Sequence, residues 1–533
     1  MLFGKIPKNN FSQVLLGFLP FVFIVVISIY SVWPIVGGMG NRLVNAGDDI
    51  IITWIINQHI QKIPFNIINL FNGNIFYPYK NTLFYSEIFL PSAIIAYLPV
   101  KITNLPIVAY NINLILGQLL SMTIIYFWLK DLTNDKLSSL LGAITFGLSI
   151  IRMHYYAHLQ MWNMHWWLAS LWMIWKYRTS EKIKYLYLSA FLVIIQAWES
   201  VLPVFFIVSS SVILLFDKLT LIKKDLKHIV FIIFIVFIST TPLISGYYGV
   251  SRQFNYVRNI RDAAHFSLGF DEIWGRSISP GLYGLFLISL LFIKKEDFMI
   301  KKSLWVFTLL LFGIMMALGP VLKWQGATVK IFNDVFIPLP YGIFYYIIPG
   351  FKALRTPSRW YIVSAFAASA LIAYGFSRIK SKYKNLFITT AILIAILGGT
   401  TLKKFYPAPK PYQYPEVYSW LKYQPENVII ELPIYLWSDL KANENWRMLY
   451  SLEHKKTLVN GASGFSPPPW EEFVAEVKNN FPETIIERKM KKMGVELIIV
   501  HKDEYGLDKI IEIQNWGKNK LIWEDSKTLV YKI

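Results

Sequence analysis

The sequence contains no cysteine, and only 16% of its 533 residues are charged. Without cysteine, the chain can form no disulfide, no cysteine-ligated metal site and no thiol nucleophile. Charge this sparse falls below the share of about 25% that is typical of soluble domains. Acidic residues are fewer than basic residues, with 33 Asp and Glu against 53 Lys and Arg. Walker, dinucleotide-binding and serine-hydrolase signatures are also missing, so those chemistries are not expected.

Apolar residues dominate the chain instead. They make up 55% of it, and the mean hydropathy is +0.42. Apolar runs long enough to cross a bilayer recur until about residue 400. The pattern predicts an α-helical polytopic membrane protein with about eleven transmembrane helices. We expect these spans near residues 11–33, 106–129, 138–153, 162–176, 184–198, 201–217, 229–246, 281–293, 303–319, 360–377 and 385–401.

The net charge of +20 does not indicate nucleic-acid binding, because the basic residues form short clusters between apolar runs. Lys5 and Lys8 precede the first span, and a basic cluster follows every even-numbered span, as with Lys295, Lys301 and Lys302 after span eight. Loops rich in Lys and Arg stay in the cytoplasm. We therefore expect a cytoplasmic N-terminus and an extracytoplasmic C-terminal domain in the plasma (inner) membrane. No small-residue cleavage site follows the first span, which we interpret as a retained helix.

The chain changes character after residue 405. A proline-rich segment, Tyr406-Pro-Ala-Pro-Lys-Pro, is typical of a stiff linker. We expect a transmembrane domain at 1–405 and a small extracytoplasmic α/β domain at 406–533. Within the second domain, the sequence predicts buried strands at 428–433 and 495–500 and helices at 414–423 and 470–478.

The first outward loop, at 34–105, opens with two adjacent acids, Asp48 and Asp49. Asp49, Thr53 and Asn57 fall on one face of a helical pattern whose other face is rich in isoleucine. This pattern predicts an amphipathic helix that lies in the membrane interface. An acid pair at such a position has two compatible explanations. In the first, Asp48 caps the helix and Asp49, in its first turn, is stabilised by the helix dipole; in the second, one of them carries chemistry.

A third acid, Glu87, ends a polar and aromatic segment of the same loop, at 69–87. The apolar stretch that follows, at 88–100, is too short to span a bilayer well. It predicts a second interfacial or re-entrant helix. Glu87 is a candidate second acid or metal ligand, and a charge at a helix start would explain it equally well.

Two groups of residues carry a family resemblance. They are Gly47-Asp48, Trp54, His59, Phe76-Tyr77-Pro78, Asn81-Thr82-Leu83 and Tyr85-Ser86-Glu87 in the first loop, and Leu354-Arg355, Pro357 and Arg359 later. Together with the predicted topology, they resemble the GT-C superfamily of membrane glycosyltransferases, which includes protein O-mannosyltransferases, aminoarabinose transferases and oligosaccharyltransferase catalytic subunits. The pattern is similar to an uncharacterised prokaryotic branch of GT-C-like proteins.

The resemblance implies transfer of a sugar from a polyprenyl-phosphate-linked donor to a glycan, lipid or protein acceptor at the outer membrane face. The family's first-loop acid maps onto Asp48 or Asp49. We favour Asp49 as the catalytic base, because it begins the polar face of the helix while Asp48 is the better cap. If a divalent metal such as Mg²⁺ or Mn²⁺ takes part, Asp48, Asp49 and Glu87 are its candidate ligands.

Basic residues in outward loops run against the topology rule and suggest phosphate binding. Arg355 and Arg359 are the best candidates for binding the donor phosphate, because guanidinium groups bind phosphate bidentately. Lys352 and Arg258 are further candidates. Contact with lipid head groups would explain the same residues.

A histidine group follows the third span. His154 and His158 are spaced to share one helix face if the helix continues, and Gln160 lies close by in sequence. Such residues could bind a phosphate, a sugar hydroxyl or a divalent ion. An interfacial belt of His and Tyr has the same appearance.

Two residues or groups nearby have alternative explanations. Glu199, between spans five and six, is either a functional group at the membrane or a solvated loop residue. Trp162, Trp166 and Trp167 are more typical of an interfacial aromatic belt than of a sugar-stacking surface.

Two other functions fit the same composition. A transporter or flippase of lipid-linked glycans would place ionisable residues at mid-span and often repeats its halves, and neither pattern is evident. An inactive scaffold that keeps the fold is the third possibility, because fold does not imply function.

Overall fold

The protein is mostly helical, with a small mixed sheet near its C-terminus. The computed structural model describes residues 8–256, 258–275, 279–294, 304–331, 335–439 and 442–533. Lys5, Lys295, Lys301 and Lys302, which support the predicted orientation, lie outside the described residues, as does the first residue of the span predicted at 303–319.

The helices in chain order are α1 (Lys8–Ser31), α2 (Trp33–Val36), α3 (Asp48–Lys62), α4 (Leu90–Thr103), α5 (Val108–Thr133), α6 (Lys136–Gly147), α7 (Ile150–His154), α8 (Leu159–Trp162), α9 (His165–Ser180), α10 (Lys184–Glu199), α11 (Leu202–Leu215), α12 (Leu219–Lys224), α13 (Leu226–Gln253), α14 (Ile260–His265), α15 (Glu272–Gly275), α16 (Pro280–Leu290), α17 (Leu304–Ala317), α18 (Tyr341–Ile347), α19 (Tyr361–Ser377), α20 (Lys384–Leu397), α21 (Glu416–Leu421), α22 (Asn443–His454), α23 (Pro468–Asn480), α24 (Thr484–Met493) and α25 (Leu507–Gly517).

The strands are short. They are β1 (Arg42–Leu43), β2 (Lys323–Trp324), β3 (Ala327–Thr328), β4 (Lys330–Ile331), β5 (Val335–Phe336), β6 (Tyr406–Pro407), β7 (Val428–Leu432), β8 (Thr457–Leu458), β9 (Leu497–His501), β10 (Leu521–Glu524) and β11 (Thr528–Lys532).

Each predicted span overlaps a helix. Within the described ranges, three helical segments are long and apolar enough to cross a bilayer, at Val108–Thr133, Leu226–Gln253 and Pro357–Ser377, and six shorter apolar helices accompany them. The chain therefore carries several apolar helices of the membrane type. The count of about eleven crossings and their orientation stay predictions.

The first of two compact units comprises the described residues of 1–37, 114–240 and 257–404. Helix α19 is its centre, because nearly every residue from Tyr361 to Phe376 is buried. It packs against α6, α16 and α17. Alanine, serine and glycine fill much of α19. Small residues let helix backbones approach closely, which is how membrane helices gain packing contacts without a hydrophobic driving force.

Three glycines mark the closest approaches around α19. A Cβ added at Gly375 would lie 2.3 Å from the backbone oxygen of Ser289 on α16. One added at Gly142 would lie 3.0 Å from the backbone oxygen of Ser369, and Gly313 is blocked by Ser364 in the same way. Side-chain size at these positions therefore sets how tightly the unit packs.

The second unit comprises 38–113, 241–256 and 405–533. Its five-stranded sheet has the order β10-β11-β9-β7-β8, in which β7 is parallel to both β8 and β9, and β11 is antiparallel to β9 and β10. The two predicted strands are confirmed as β7 and β9, the helix predicted at 414–423 contains α21, and the one predicted at 470–478 lies within α23. The proline-rich segment begins with β6, which pairs with β1. The predicted domain division after residue 405 stays a prediction.

The first-loop helix α3 lies where predicted, but its surroundings differ from the expectation. Its residues from Asp49 to Ile60 are buried on every face, since α22 and α4 pack against it. The polar side chains of this face bond to the backbone of the same helix. Thr53 donates to the Asp49 carbonyl at 2.7 Å, and Asn57 donates to the Thr53 carbonyl at 2.8 Å. The polar face is therefore part of an interior and is not open to solvent.

Helix α4 confirms the second predicted helix of the loop. It exposes Ile94, Leu98 and Ile102, which are spaced four residues apart and so form one apolar stripe. Its placement at the membrane interface stays a prediction.

Replacing Gly375 by Ala should destabilise the first unit by about 1–3 kcal/mol, because the backbone of Ser289 cannot move cheaply away from the added Cβ. Thermal unfolding of the detergent-purified protein measures the effect. Gly284→Ala in α16 is the matched control, since a Cβ there meets nothing within 4 Å. Equal melting temperatures for the two variants would contradict close packing of α16 and α19.

Candidate active site

A turn centred on one carboxylate precedes α3. Asp49 Oδ2 accepts hydrogen bonds from the backbone amides of residues 44–46 at 2.9, 2.9 and 3.2 Å. Its Oδ1 accepts from the amides of Gly47 and Ile50 at 2.8 and 3.1 Å. A carboxylate offers about four lone-pair sites. Five amide donors therefore use the whole hydrogen-bonding capacity of Asp49.

This turn is held in an uncommon backbone conformation. Ala46 has φ +58°, in the left-handed region, which costs a non-glycine residue about 1–2 kcal/mol. Amide bonds to an ionised carboxylate are stronger than neutral ones and offset that cost. Burial raises the pKa of Asp49 above its ordinary value, and the amides of residues 44–47 oppose the shift.

Asp48 is placed differently from its neighbour. It is the first residue of α3, and the N-cap residue is Gly47, so the predicted capping role of Asp48 is not the one observed. Successive residues of an α-helix point about 100° apart, so the two carboxylates cannot share the same donors. Asp48 is partly exposed whereas Asp49 is fully buried. The preference for Asp49 as the base stays a prediction.

Glu87 lies in the same unit, just after the 3₁₀ turn Thr82–Tyr85, and it is partly exposed. The preceding residue, Ser86, accepts a hydrogen bond from the hydroxyl of Tyr247 at 2.9 Å. Glu87 therefore sits on an anchored stretch of backbone.

Other first-loop residues of the family pattern build the loop. Segment 74–77 runs beside β8, because Leu458 donates to the Asn74 carbonyl and the amides of Phe76 and Tyr77 donate to the carbonyls of Asn460 and Leu458, at 2.8–3.0 Å. Phe76 is fully buried and meets Trp470 edge-on at 4.8 Å. These residues therefore have structural roles.

His59, the histidine of the pattern, is also internal. It is fully buried in α3, and burial lowers its pKa to about 3. It is therefore neutral at physiological pH and is no candidate for binding phosphate. Trp54, one turn earlier, is held by a hydrogen bond to Asn74 at 3.2 Å.

Three of the four predicted phosphate-binding residues lie along one segment of the first unit. Lys352 and Arg355 are exposed and lie over the rings of Tyr346 and Phe266 at 5.8 and 5.4 Å. Arg359 is partly exposed on the next turn. Phe266 is tied to the segment, since its carbonyl accepts from the amide of residue 358 at 3.3 Å.

The fourth, Arg258, is linked to this region through its backbone. Its carbonyl accepts a hydrogen bond from the hydroxyl of Tyr345 at 2.6 Å, and Tyr345 is the neighbour of the tyrosine beneath Lys352. The structure therefore gathers the four predicted basic residues around α18 and the segment that follows it.

The histidine pair does not share a helix face, and that expectation is wrong. Helix α7 ends at His154, and His158 precedes α8 as its N-cap residue. The buried ring of Tyr155 contacts both, at 5.4 Å from His154 and 6.4 Å from His158. Burial raises the pKa of Tyr155 to about 12, and the charge of Arg359 acts in the opposite direction. The pair therefore lies within electrostatic reach of the basic segment, and Gln160 lies on α8, whose N-cap residue is His158.

Glu199 and two tryptophans also differ from their expected surroundings. Glu199 is fully buried and accepts a hydrogen bond from Asn163 at 2.7 Å, so it is not a solvated loop residue. Trp162 and Trp167 are buried in the unit's interior and form no interfacial belt. Arg152 lies over Trp162 at 4.1 Å and donates to three backbone carbonyls, which leaves it no role in phosphate binding.

A metal site was expected only as an option. In the part of the chain that the structure describes, no group of three or more His, Asp or Glu lies together as metal ligands would. Asp49 is committed to amides, so the predicted ligand set of Asp48, Asp49 and Glu87 does not fit a metal.

Asp49→Asn should destabilise the second unit by about 3 kcal/mol, because the new amide group presents a donor to buried backbone amides and leaves some of them unsatisfied. Asp48→Asn is the matched variant and should change stability by less than about 1 kcal/mol. Differential scanning fluorimetry of the purified protein compares them. A more severe loss in Asp48→Asn would show that the roles of the two acids are reversed.

Comparison with known proteins gives matches in fold only. No family model matches the sequence, and no curated protein sequence matches it. Among solved structures, the arabinofuranosyltransferase AftD from mycobacteria matches with a TM-score of 0.56 at 10% identity, over 97% of this chain and 39% of that one. The chain thus spans about two fifths of the length of that enzyme.

The Archaeoglobus fulgidus oligosaccharyltransferase also matches, in two crystal forms. One is tethered to an acceptor peptide and gives a TM-score of 0.48 at 12% identity, over 96% of this chain and 73% of that one. The other contains zinc and sulfate and gives a TM-score of 0.46 at 11% identity, over 96% and 72%. The likeness to the arabinofuranosyltransferase spans nearly the whole chain and shows that its fold is similar to that of GT-C membrane glycosyltransferases, as the sequence resemblance predicts.

Proposed function

We propose that the protein is a glycosyltransferase that moves a sugar from a polyprenyl-phosphate-linked donor to an acceptor at the outer face of the membrane. A fold shared with GT-C enzymes supports the class of reaction, although a fold alone does not fix an activity. The proposal therefore depends on the chemistry of named residues.

The observation that carries the proposal is the difference in burial and hydrogen bonding between two adjacent acids. Asp49 is fully buried and accepts hydrogen bonds from five backbone amides, whereas Asp48, the first residue of α3, is partly exposed. A base must be held in position to accept a proton efficiently. The amide contacts of Asp49 fix the start of α3 and so hold the backbone of the partly exposed Asp48 in position.

In the proposed reaction, Asp48 accepts the proton of the acceptor's nucleophilic group as that group attacks C1 of the donor sugar. A bond forms between the acceptor and C1, and the bond between C1 and the phosphate oxygen breaks. The carrier phosphate leaves with its electron pair. Glu87 is the second proposed acid, which would orient the acceptor.

The leaving phosphate gains negative charge and needs cations more than a protonating acid. Exposed Lys352 and Arg355, with Arg359 on the next turn, offer three cations along one short segment. Arginine suits phosphate because its planar group donates two parallel hydrogen bonds. We propose that these residues hold the donor, with Arg258 and His158 near them as lesser contributors.

Asp48→Asn should lower glycan transfer about 100-fold or more, since a positioned general base contributes roughly 10²–10⁴ to rate. Mass spectrometry of surface glycoproteins and glycolipids from deletion strains carrying each variant measures transfer. The control is Asp508→Asn, an exposed acid of the second unit, which should transfer normally. Full transfer by the Asp48 variant at normal abundance would refute the assignment. Uptake of labelled lipid-linked sugar into proteoliposomes, without transfer, would favour a flippase.

Arg355→Gln should raise the KM for the lipid-linked donor roughly tenfold and change the melting temperature little, because the side chain is exposed and binds a charged group. Steady-state kinetics in nanodiscs with a radiolabelled donor give KM and kcat separately. Lys382→Gln, an exposed cation in a loop predicted to be cytoplasmic, is the control. An unchanged KM in the Arg355 variant would remove this residue from the donor site.

A further inference from the structure

An open cleft lies beside the sheet of the second unit. Its volume is about 340 Å³, near the lower end of the range typical of small-ligand sites. It is lined from two directions: Tyr418 and residues 443–450 come from helices beside β7, and His501, Asp503 and Glu504 follow β9. The cleft therefore lies at the carboxyl ends of two adjacent parallel strands.

The strand order makes this position special. From β7 the chain proceeds to β8 on one side, and from β9 it proceeds through α25 to β10 and β11 on the other side. Two neighbouring parallel strands whose connections diverge leave a crevice between them. Such switch points are where open α/β sheets bind ligands.

Aromatic rings form one wall of the cleft. Trp446 and Tyr450 are one turn apart on α22, are partly exposed, and lie nearly parallel, with ring centres 6.2 Å apart and planes at 26°. The buried Tyr418 packs against Tyr450, with ring centres 4.7 Å apart. A continuous ring surface of this kind packs against an extended, partly apolar ligand.

Several charged groups around the cleft already form ion pairs. Arg447 donates to Glu504 at 3.0 Å and to Glu444 at 2.7 Å, and His501 pairs with Glu431 at 2.8 Å. Besides His501, the lining carries two cations, Arg447 and Lys527, and two anions, Asp503 and Glu504, so their charges balance. Neither an anionic nor a cationic ligand is favoured by this balance.

The residues that line the cleft still offer hydrogen bonds to an uncharged ligand. Asn443 both donates and accepts, Asp503 accepts and Lys527 donates, and all three line the cleft. Peptides are commonly bound by pairing with the edge of a sheet, but this cleft lies at strand ends. A ligand with apolar faces and many neutral hydroxyl groups matches the surface best.

We propose that this cleft binds a neutral oligosaccharide, with sugar rings stacked on Trp446 and Tyr450 and hydroxyl groups bonded to Asn443, Asp503 and Lys527. The identification of this saccharide as the acceptor rests on the proposed transferase function. The binding itself does not. The cleft would then hold the non-reacting part of a growing glycan chain.

Saturation-transfer NMR and calorimetry on the full-length protein in nanodiscs test the proposal. The probes are mannotetraose, maltotetraose and arabinotetraose, with trigalacturonate as the anionic counterpart and a Gly-Ser-Thr-Asn octapeptide as the peptide counterpart. At least one neutral tetrasaccharide should bind saturably. Trp446→Ala should weaken that binding roughly tenfold, and Trp446→Phe should largely retain it. Trp437→Ala, at an exposed tryptophan outside the cleft, should bind like the wild type.

The possible results separate this proposal from the transferase assignment. Asp48→Asn should bind the tetrasaccharide normally, so binding without transfer leaves the cleft intact and questions only the function. Absence of binding to every neutral probe would overturn the proposal. Tighter binding of trigalacturonate or of the octapeptide would also overturn it, as would unchanged binding by a folded Trp446→Ala protein.

Discussion

The turn around the Asp49 carboxylate is the constraint on which the candidate site depends. Five amides converge on one side chain, and the left-handed Ala46 allows the backbone to wrap around it. In a buried place, one carboxylate thus replaces the water that these amides would otherwise require. Because α3 begins at once after the turn, the start of this buried helix is fixed by the same contacts.

Each of the two units is stabilised internally by a different physical rule. In the first unit, apolar helices have little to gain from burial against lipid, so small side chains around α19 bring backbones within contact. In the second unit, α/β packing buries an apolar sheet in which β7 and most of β9 are inaccessible to solvent. The buried Arg447 lies among Glu431, Glu444 and Glu504, which compensate its charge.

The sequence was sufficient to predict elements, and it failed where tertiary contacts decide. The length of the apolar runs located α5, α13 and α19 well, because a long apolar stretch can be recognised in a sequence without knowing what it packs against. Strands β7 and β9 were equally visible. The polar face of α3 was read as solvent-facing, because a periodic pattern cannot tell water from a partner helix such as α22. The histidine pair failed for a simpler reason, since α7 ends at His154.

The candidate site, too, could be predicted from the sequence only in part. The acid pair and the basic segment at 352–359 were identifiable by residue type, as were their positions relative to apolar runs. The sequence could not show which of the two acids binds backbone amides, because the amides that bind Asp49 come from a turn with no sequence signature beyond Gly47. Helical geometry then supplies what the pattern lacked. Adjacent side chains point about 100° apart, so an acid pinned to the preceding turn directs its neighbour elsewhere. Two neighbouring carboxylates therefore have different surroundings, with Asp49 fully buried as a structural anchor and Asp48 partly exposed.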